Sequence, residues 1–107
     1  MVEITDGIGA IADERIRQQR EEGYTPEFDD QYTDGELIDS AVCYALYGRA
    51  IAKGMTKEQA RTMAGIGWPE TWSPTAFKPD GGMRDLVRAG ALIAAEIDRR
   101  IRAGEME

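Results

Sequence analysis

A chain of 107 residues with a formal charge of −7 and no histidine is sized for a single domain, 1–107, built around one hydrophobic core. The missing imidazole excludes a Cys/His zinc site and a Ser-His-Asp triad. The acidic balance argues against duplex nucleic acid, whose binding rests on neutralising phosphates with a basic face. There is no run of eighteen apolar residues and no positively charged leader ahead of an apolar stretch, so neither a membrane span nor a signal peptide is expected. The single cysteine, Cys43, sits in an apolar helical pattern and reads as a buried, reduced thiol, which fits a cytoplasmic location.

In chain order, Ile4 to Glu22 reads as a first helix with Thr5 or Asp6 as its cap and Gly23 past its end. Its apolar face runs Ile4, Ile8, Ile11, Ala12, Ile16, and the same periodicity sets Arg15 and Gln19 in the middle of that face. A guanidinium enclosed there needs a partner: an internal carboxylate, or the phosphate or carboxylate of a ligand. Residues 24–33 read as a loop because of Pro26 and the lack of periodicity. The loop mixes Tyr24, Phe28 and Tyr32 with Glu27, Asp29 and Asp30. That composition suits stacking a base or holding Mg²⁺, and equally suits pinning aromatics to the core while the aspartates cap helices or meet an arginine.

Thr33-Asp-Gly-Glu36 reads as a capping box opening a second long helix that ends near Lys53 and Gly54. Leu37, Ala41, Tyr44, Gly48 and Ile51 form its stripe, widened by Ile38, Ala45 and Ala52. A helix apolar around most of its surface is central, or buries a second face against another subunit. Thr56-Lys-Glu-Gln59 is a second capping box, predicting a short helix over Lys57 to Ala64. Residues 65–82 hold three of the four prolines and both tryptophans and are too aromatic for a disordered linker. Trp68, Trp72 and Phe77 are expected to cover the helices, with Lys78, Arg84 and Arg88 near the far end. The last helix, Met83 to Arg102, is capped by Asp80 or a neighbouring glycine, and Leu86, Val87, Gly90, Ile93, Ala94, Ile97 and Ile101 share one face. That face is expected to be the floor of the fold, with Gly90 marking the close approach of another backbone or a ligand. The fold expected is mainly α: a compact four-helix domain with an ordered aromatic, proline-rich segment before the last helix, self-associating through the second long helix and the last one.

Two constellations carry chemistry. In the first, Arg15, Lys78, Arg84 and Arg88 converge on a phosphorylated ligand whose base stacks on Tyr24, Tyr32 or Trp68, with Gln19 and Asp30 completing the site. The competing arrangement pairs these cations with Asp29, Asp30, Asp85 or Glu96. In the second, Glu36 and Asp39, one helical turn apart, present two oxygens to Mg²⁺. This E-x-x-D resembles the second half of the motif of the all-α nucleoside triphosphate pyrophosphohydrolases of MazG type, and the resemblance implies Mg²⁺-dependent nucleotide hydrolysis. In that family an E-x-x-E on the preceding helix supplies the other ligands, whereas the preceding acidic pair here, Glu27 and Asp30, lies in a proline-containing segment.

The series E-R-x-R-Q-x-x-E-E-G-Y-T, then D-D, G-E-L, Y-A, W-P, K-P and R-D-L-V-R-A-G-A-L-I-A-A-E-I-D-R resembles a set of small phage and prophage proteins over most of the chain. A shorter similarity, carried by Arg15, Gly23, Tyr24, Asp30, Arg84 and Asp85, is to the ryanodine-receptor-type repeat and implies binding of an adenine-type nucleotide. The proline-led element that follows the loop in that repeat is missing here. Together these readings favour a binder over an enzyme: a phage-type protein, resident in the host cytoplasm, that sequesters a nucleotide-derived ligand as an anti-defence device and needs no cofactor. Two alternatives stand beside it, the Mg²⁺-dependent pyrophosphohydrolase and an acidic protein that inhibits a basic host factor by binding it.

Overall fold

The computed structural model describes residues 6–105. Five helices form in order: α1 (Gly7–Glu21), α2 (Pro26–Asp29), α3 (Glu36–Ala52), α4 (Lys57–Ala64) and α5 (Met83–Arg102), with 3₁₀ turns at Gly65–Gly67 and Pro74–Ala76 between the last two. Among the described residues there is no strand. The fold is mainly α, and no described helix is long and apolar enough to cross a membrane.

The helix boundaries follow local chemistry. Asp6 caps α1 by accepting from the Gly9 N–H at 2.7 Å. At α4 the Thr56 hydroxyl accepts from the Gln59 N–H while the Gln59 side chain accepts from the Thr56 N–H, a complete capping box. The box expected at Thr33 does not form: Gly35 is the cap of α3, in the left-handed region, and the Glu36 carboxylate turns back to accept from the Asp34 N–H. The segment after Tyr24 contains a helical turn, since Thr25 at the cap and Pro26 at the first helical position satisfy the two conditions for starting a helix. Ile4, placed on the apolar face of the first helix, lies outside the described residues.

α3 is central, with α5 packed along one side and α4 along another, and α1 and α2 rest on α5. The α3–α5 seam is made of small residues. Ala41, Ala89 and Ala95 belong to the core with Leu37 and Leu92, and a Cβ placed on Gly48 would lie 3.0 Å from the Gly82 carbonyl oxygen and 3.2 Å from Leu86 Cδ2. The aromatic cover forms as a continuous ladder. Ring centroids lie 5.0–5.8 Å apart from Tyr24 through Phe28, Tyr32, Trp72 and Trp68 to Phe77, and Tyr44 and Tyr47 meet Phe77 from α3. Cys43 is fully buried, as expected, and burial pushes its thiol pKa up.

α5 presents the opposite face from the one expected, and α1 is rotated partway from it, with Arg15 still inward and Ile11 against Gly90. α5 turns Ala89, Ala91, Leu92 and Ala95 inward, while Leu86, Ile93, Ile97 and Ile101 of its bulky stripe are 42–50% exposed. α1 turns Glu14, Arg15 and Gln18 inward and leaves Ile8 and Ile16 exposed. On α5 this follows from the close seam: small residues such as Ala89 and Ala95 meet α3 there, so the isoleucines point away from the core. Gly90 does mark a close approach, since a Cβ there would fall 2.5 Å from Ile11 Cδ1 of α1.

Alanine at position 48 would raise intrinsic helix propensity by about 1 kcal/mol, but it would push against backbone that cannot yield as a flexible side chain does. Gly48→Ala is therefore expected to lower stability by about 1–2 kcal/mol in urea unfolding.

Candidate functional site

A cleft of about 270 Å³ opens between α1, α3, the aromatic segment and the first turns of α5. α1 contributes Glu14, Arg17 and Gln18, whose i, i+3, i+4 spacing puts them on one face. The turn after α1 adds Glu22 and Tyr24, α3 adds Tyr44, and the irregular segment adds Trp68, Trp72 and Lys78. α5 supplies Arg84, Arg88 and Leu92 at four-residue intervals. Four cations thus meet two carboxylates at the wall of a protein whose overall charge is −7.

The entry to α5 is fixed by Asp85, which is fully buried and accepts from the N–H groups of Asp80 at 2.9 Å and Gly81 at 2.7 Å. Gly81 and Gly82 both have positive φ there, so the turn suits glycine. Asp85 also accepts from Arg88, which pairs with Asp80 at 2.9 Å and lies 5.9 Å over the Tyr44 ring. The Tyr44 hydroxyl accepts from the Lys78 N–H at 3.2 Å, tying the aromatic segment to α3, and burial raises its pKa.

Glu14 is 3% exposed and accepts two hydrogen bonds of 2.9 Å from Arg17, with Arg84 at 3.6 Å. Burial opposes its ionisation, but the Arg17 hydrogen bond and the charges of Arg17, Arg84 and Arg88 outweigh it and hold the carboxyl below its usual range. Arg17 and Arg88 are each held by two carboxylates. The cations that face the opening are Arg84, with its side chain 53% exposed and only a 3.6 Å pairing with Glu14, and Lys78, which is exposed and has no ion pair among the described residues.

Two polar atoms of the lining have no partner. Gln18 is 4% exposed, donates through Nε2 to Glu14 at 3.4 Å and leaves Oε1 unpaired; the Trp72 indole N–H is buried and unpaired as well. A buried donor or acceptor left unmade costs about 1–3 kcal/mol. One acceptor and one donor therefore stand unsatisfied in the walls of a basic, aromatic cleft.

Of the residues expected from sequence, Tyr24, Trp68, Lys78, Arg84 and Arg88 line this cleft. Tyr32 lines an adjoining pocket of about 280 Å³ that shares Tyr24, Trp72 and Ala76 with it. Arg15 lies apart: it is buried, its Nη2 donates to Asp29 at 2.8 Å, and its Nη1 is 3.4 Å from the Tyr24 carbonyl. Asp30 pairs with Arg102 near the surface, and Gln19 is half-buried outside both linings. The four acids weighed as internal partners each hold an arginine: Asp29 holds Arg15, Asp30 holds Arg102, Asp85 holds Arg88, and Glu96 holds Arg99 and Arg100.

Sequence reasoning missed Glu14, Arg17, Gln18, Glu22, Tyr44 and Trp72 as site residues. The polar spacing of 14, 17 and 18 was the available signal for three of them. Glu36 serves as a turn acceptor, and among the described residues no three acidic or cysteine side chains gather where a metal ion would sit. Neither a protein family, nor a curated relative, nor a solved structure matches the chain. The class that fold and cleft define is a small helical domain with a locally basic, aromatic-walled cleft.

The Arg15–Asp29 pair predicts that Asp29→Asn, which strands a buried guanidinium, lowers stability by about 3 kcal/mol, while Arg15→Met in the same chain restores much of the loss; urea unfolding of the three proteins reads this directly. Glu14 gives a pH signature. Because its folded-state pKa is lowered, its stabilisation is fully present above the ordinary value of 4.5 and is lost as pH falls through the lower folded-state value. The stability difference between wild type and Glu14→Gln is thus expected to shrink as unfolding is repeated from pH 6 down to pH 3.

Proposed function

We propose that the cleft binds a small anionic ligand carrying an aromatic base, of nucleotide-derived type, and holds it without chemical change. The observation that carries the reading is the convergence of Lys78 and Arg84 with Tyr24, Tyr44, Trp68 and Trp72 around the unpaired Gln18 acceptor and Trp72 donor. Cations able to meet phosphate stand beside ring faces able to stack a base, and a base edge offers both a donor and an acceptor. The lining holds no histidine, cysteine or serine to act as base or nucleophile, which favours binding over catalysis. Following the resemblance to phage proteins, the ligand is a host signalling nucleotide and the role is its sequestration.

Isothermal titration with adenosine monophosphate, cyclic nucleotides and ADP-ribose is the test. At least one is expected to bind, with Arg84→Ala and Lys78→Ala each lowering affinity about tenfold while changing stability by less than about 0.5 kcal/mol. Gln18→Met is expected to weaken binding as much or more while leaving the free protein within about 1 kcal/mol of wild type, because the acceptor it removes has no partner in the free chain. No heat across the panel from folded protein overturns the reading.

A further inference from the structure

Around α2, Tyr24, Phe28 and Tyr32 stand at four-residue intervals, the spacing that sets side chains along one side of a helical turn. Their rings run on to Trp72, with centroids 5.8, 5.6 and 5.0 Å apart and the last two contacts edge to face. These four rings line a chamber of about 280 Å³ that adjoins the cleft at Tyr24, Trp72 and Ala76. Phe28 is 40% exposed, so ring surface there remains open to a ligand. We infer that this chamber is a second base subsite, so that the ligand is of dinucleotide type, with one base in the cleft and the other in the chamber. This rests on the nucleotide reading of the cleft and extends it.

Size supports the division. The cleft holds about 270 Å³, and neither space alone reaches the roughly 300–1,000 Å³ of small-molecule sites, whereas the two together fall inside that range. Among the described residues no lysine or arginine lines the chamber, so it suits an uncharged end of a ligand whose phosphates stay with Lys78 and Arg84. Rings meeting at 76° and 61° let a base lie flat on one wall with its edge against the next.

The one charged residue of the lining is Asp29. Arg15 donates to its Oδ2 at 2.8 Å, and Oδ1 has no hydrogen bond among the described residues, which leaves an acceptor for an N–H of a base. Because Arg15 meets the charge of that carboxylate, an organic cation, the other guest that aromatic walls favour, gains less here than a neutral base does. Between the two spaces Ala76 is small and exposed, so a diphosphate linker crosses there with little obstruction.

ADP-ribose and diadenosine diphosphate form a matched pair, since they differ only by an adenine on the terminal ribose. In titration calorimetry the two-base ligand is expected to bind about tenfold more tightly or better, the gain that stacking one base on an aromatic side chain supplies. Phe28 and Tyr32 line the chamber and not the cleft. Phe28→Ala is expected to cut the advantage below about threefold while ADP-ribose binds as it does to wild type. Tyr32→Leu, which keeps an apolar side chain against the core, is expected to do the same. Arg84→Ala weakens both ligands alike and preserves their ratio. Equal affinity for the two ligands, or an advantage that survives both chamber variants, overturns the inference and leaves the nucleotide reading of the cleft standing. No heat from either ligand overturns that reading and the inference with it.

Discussion

The closeness of α3 to α5 is the constraint from which the rest of this molecule follows. Gly48 lets the α5 entry turn and Leu86 come against α3, and the alanines at 41, 89 and 95 continue the seam. Side chains this small leave no space between the two helices, so bulk must be placed elsewhere. On α5 it goes outward. On α3 the larger side chains, Tyr44 and Tyr47, lie in the core with Phe77 of the irregular segment, and Tyr44 meets Trp68 there. The tryptophans thereby gain a surface to cover, and the segment between α4 and α5 is ordered by ring contacts where it has no regular secondary structure.

α1 solves a different problem. Its inward face is largely polar, and besides the Ile11 contact at Gly90 it joins the body through Arg15 on Asp29 and through Glu14, near which Arg84 stands. A helix seated on charges leaves room around them, and that room is the cleft. Its charge distribution has the same origin: Glu14 satisfies Arg17 first, so Arg84 and Lys78 are left facing the opening in a chain that is acidic as a whole.

Element positions were legible in the sequence because they depend on neighbours within four residues: the Thr56 box, the extent of α4 and the start of α5 at the double glycine all rest on local hydrogen bonding or backbone freedom. Which face of a helix turns inward was not legible. α5 carries two apolar faces, and a ranking by hydrophobicity chooses the isoleucines over the alanines, whereas the seam selects for size. Arg15 was correctly placed in an enclosed position, yet its partner sits fourteen residues away on a helical turn that Pro26 made look like a loop. The cleft was half visible, since arginine, lysine and aromatic residues draw attention by type. Glu14, Gln18 and Tyr44 join it only through tertiary packing, which no spacing rule along one chain encodes.

The contrast between the two joints has a consequence for how the protein responds to its surroundings. Hydrocarbon contact loosens on cooling and tightens in the presence of excluded salts such as sulfate, whereas a charge pair as enclosed as Arg15–Asp29 is screened little as ionic strength climbs. The α3–α5 seam therefore answers temperature and electrolyte more strongly than the enclosed charges that seat α1, and the opening bounded by both is shaped by the medium as well as by the chain.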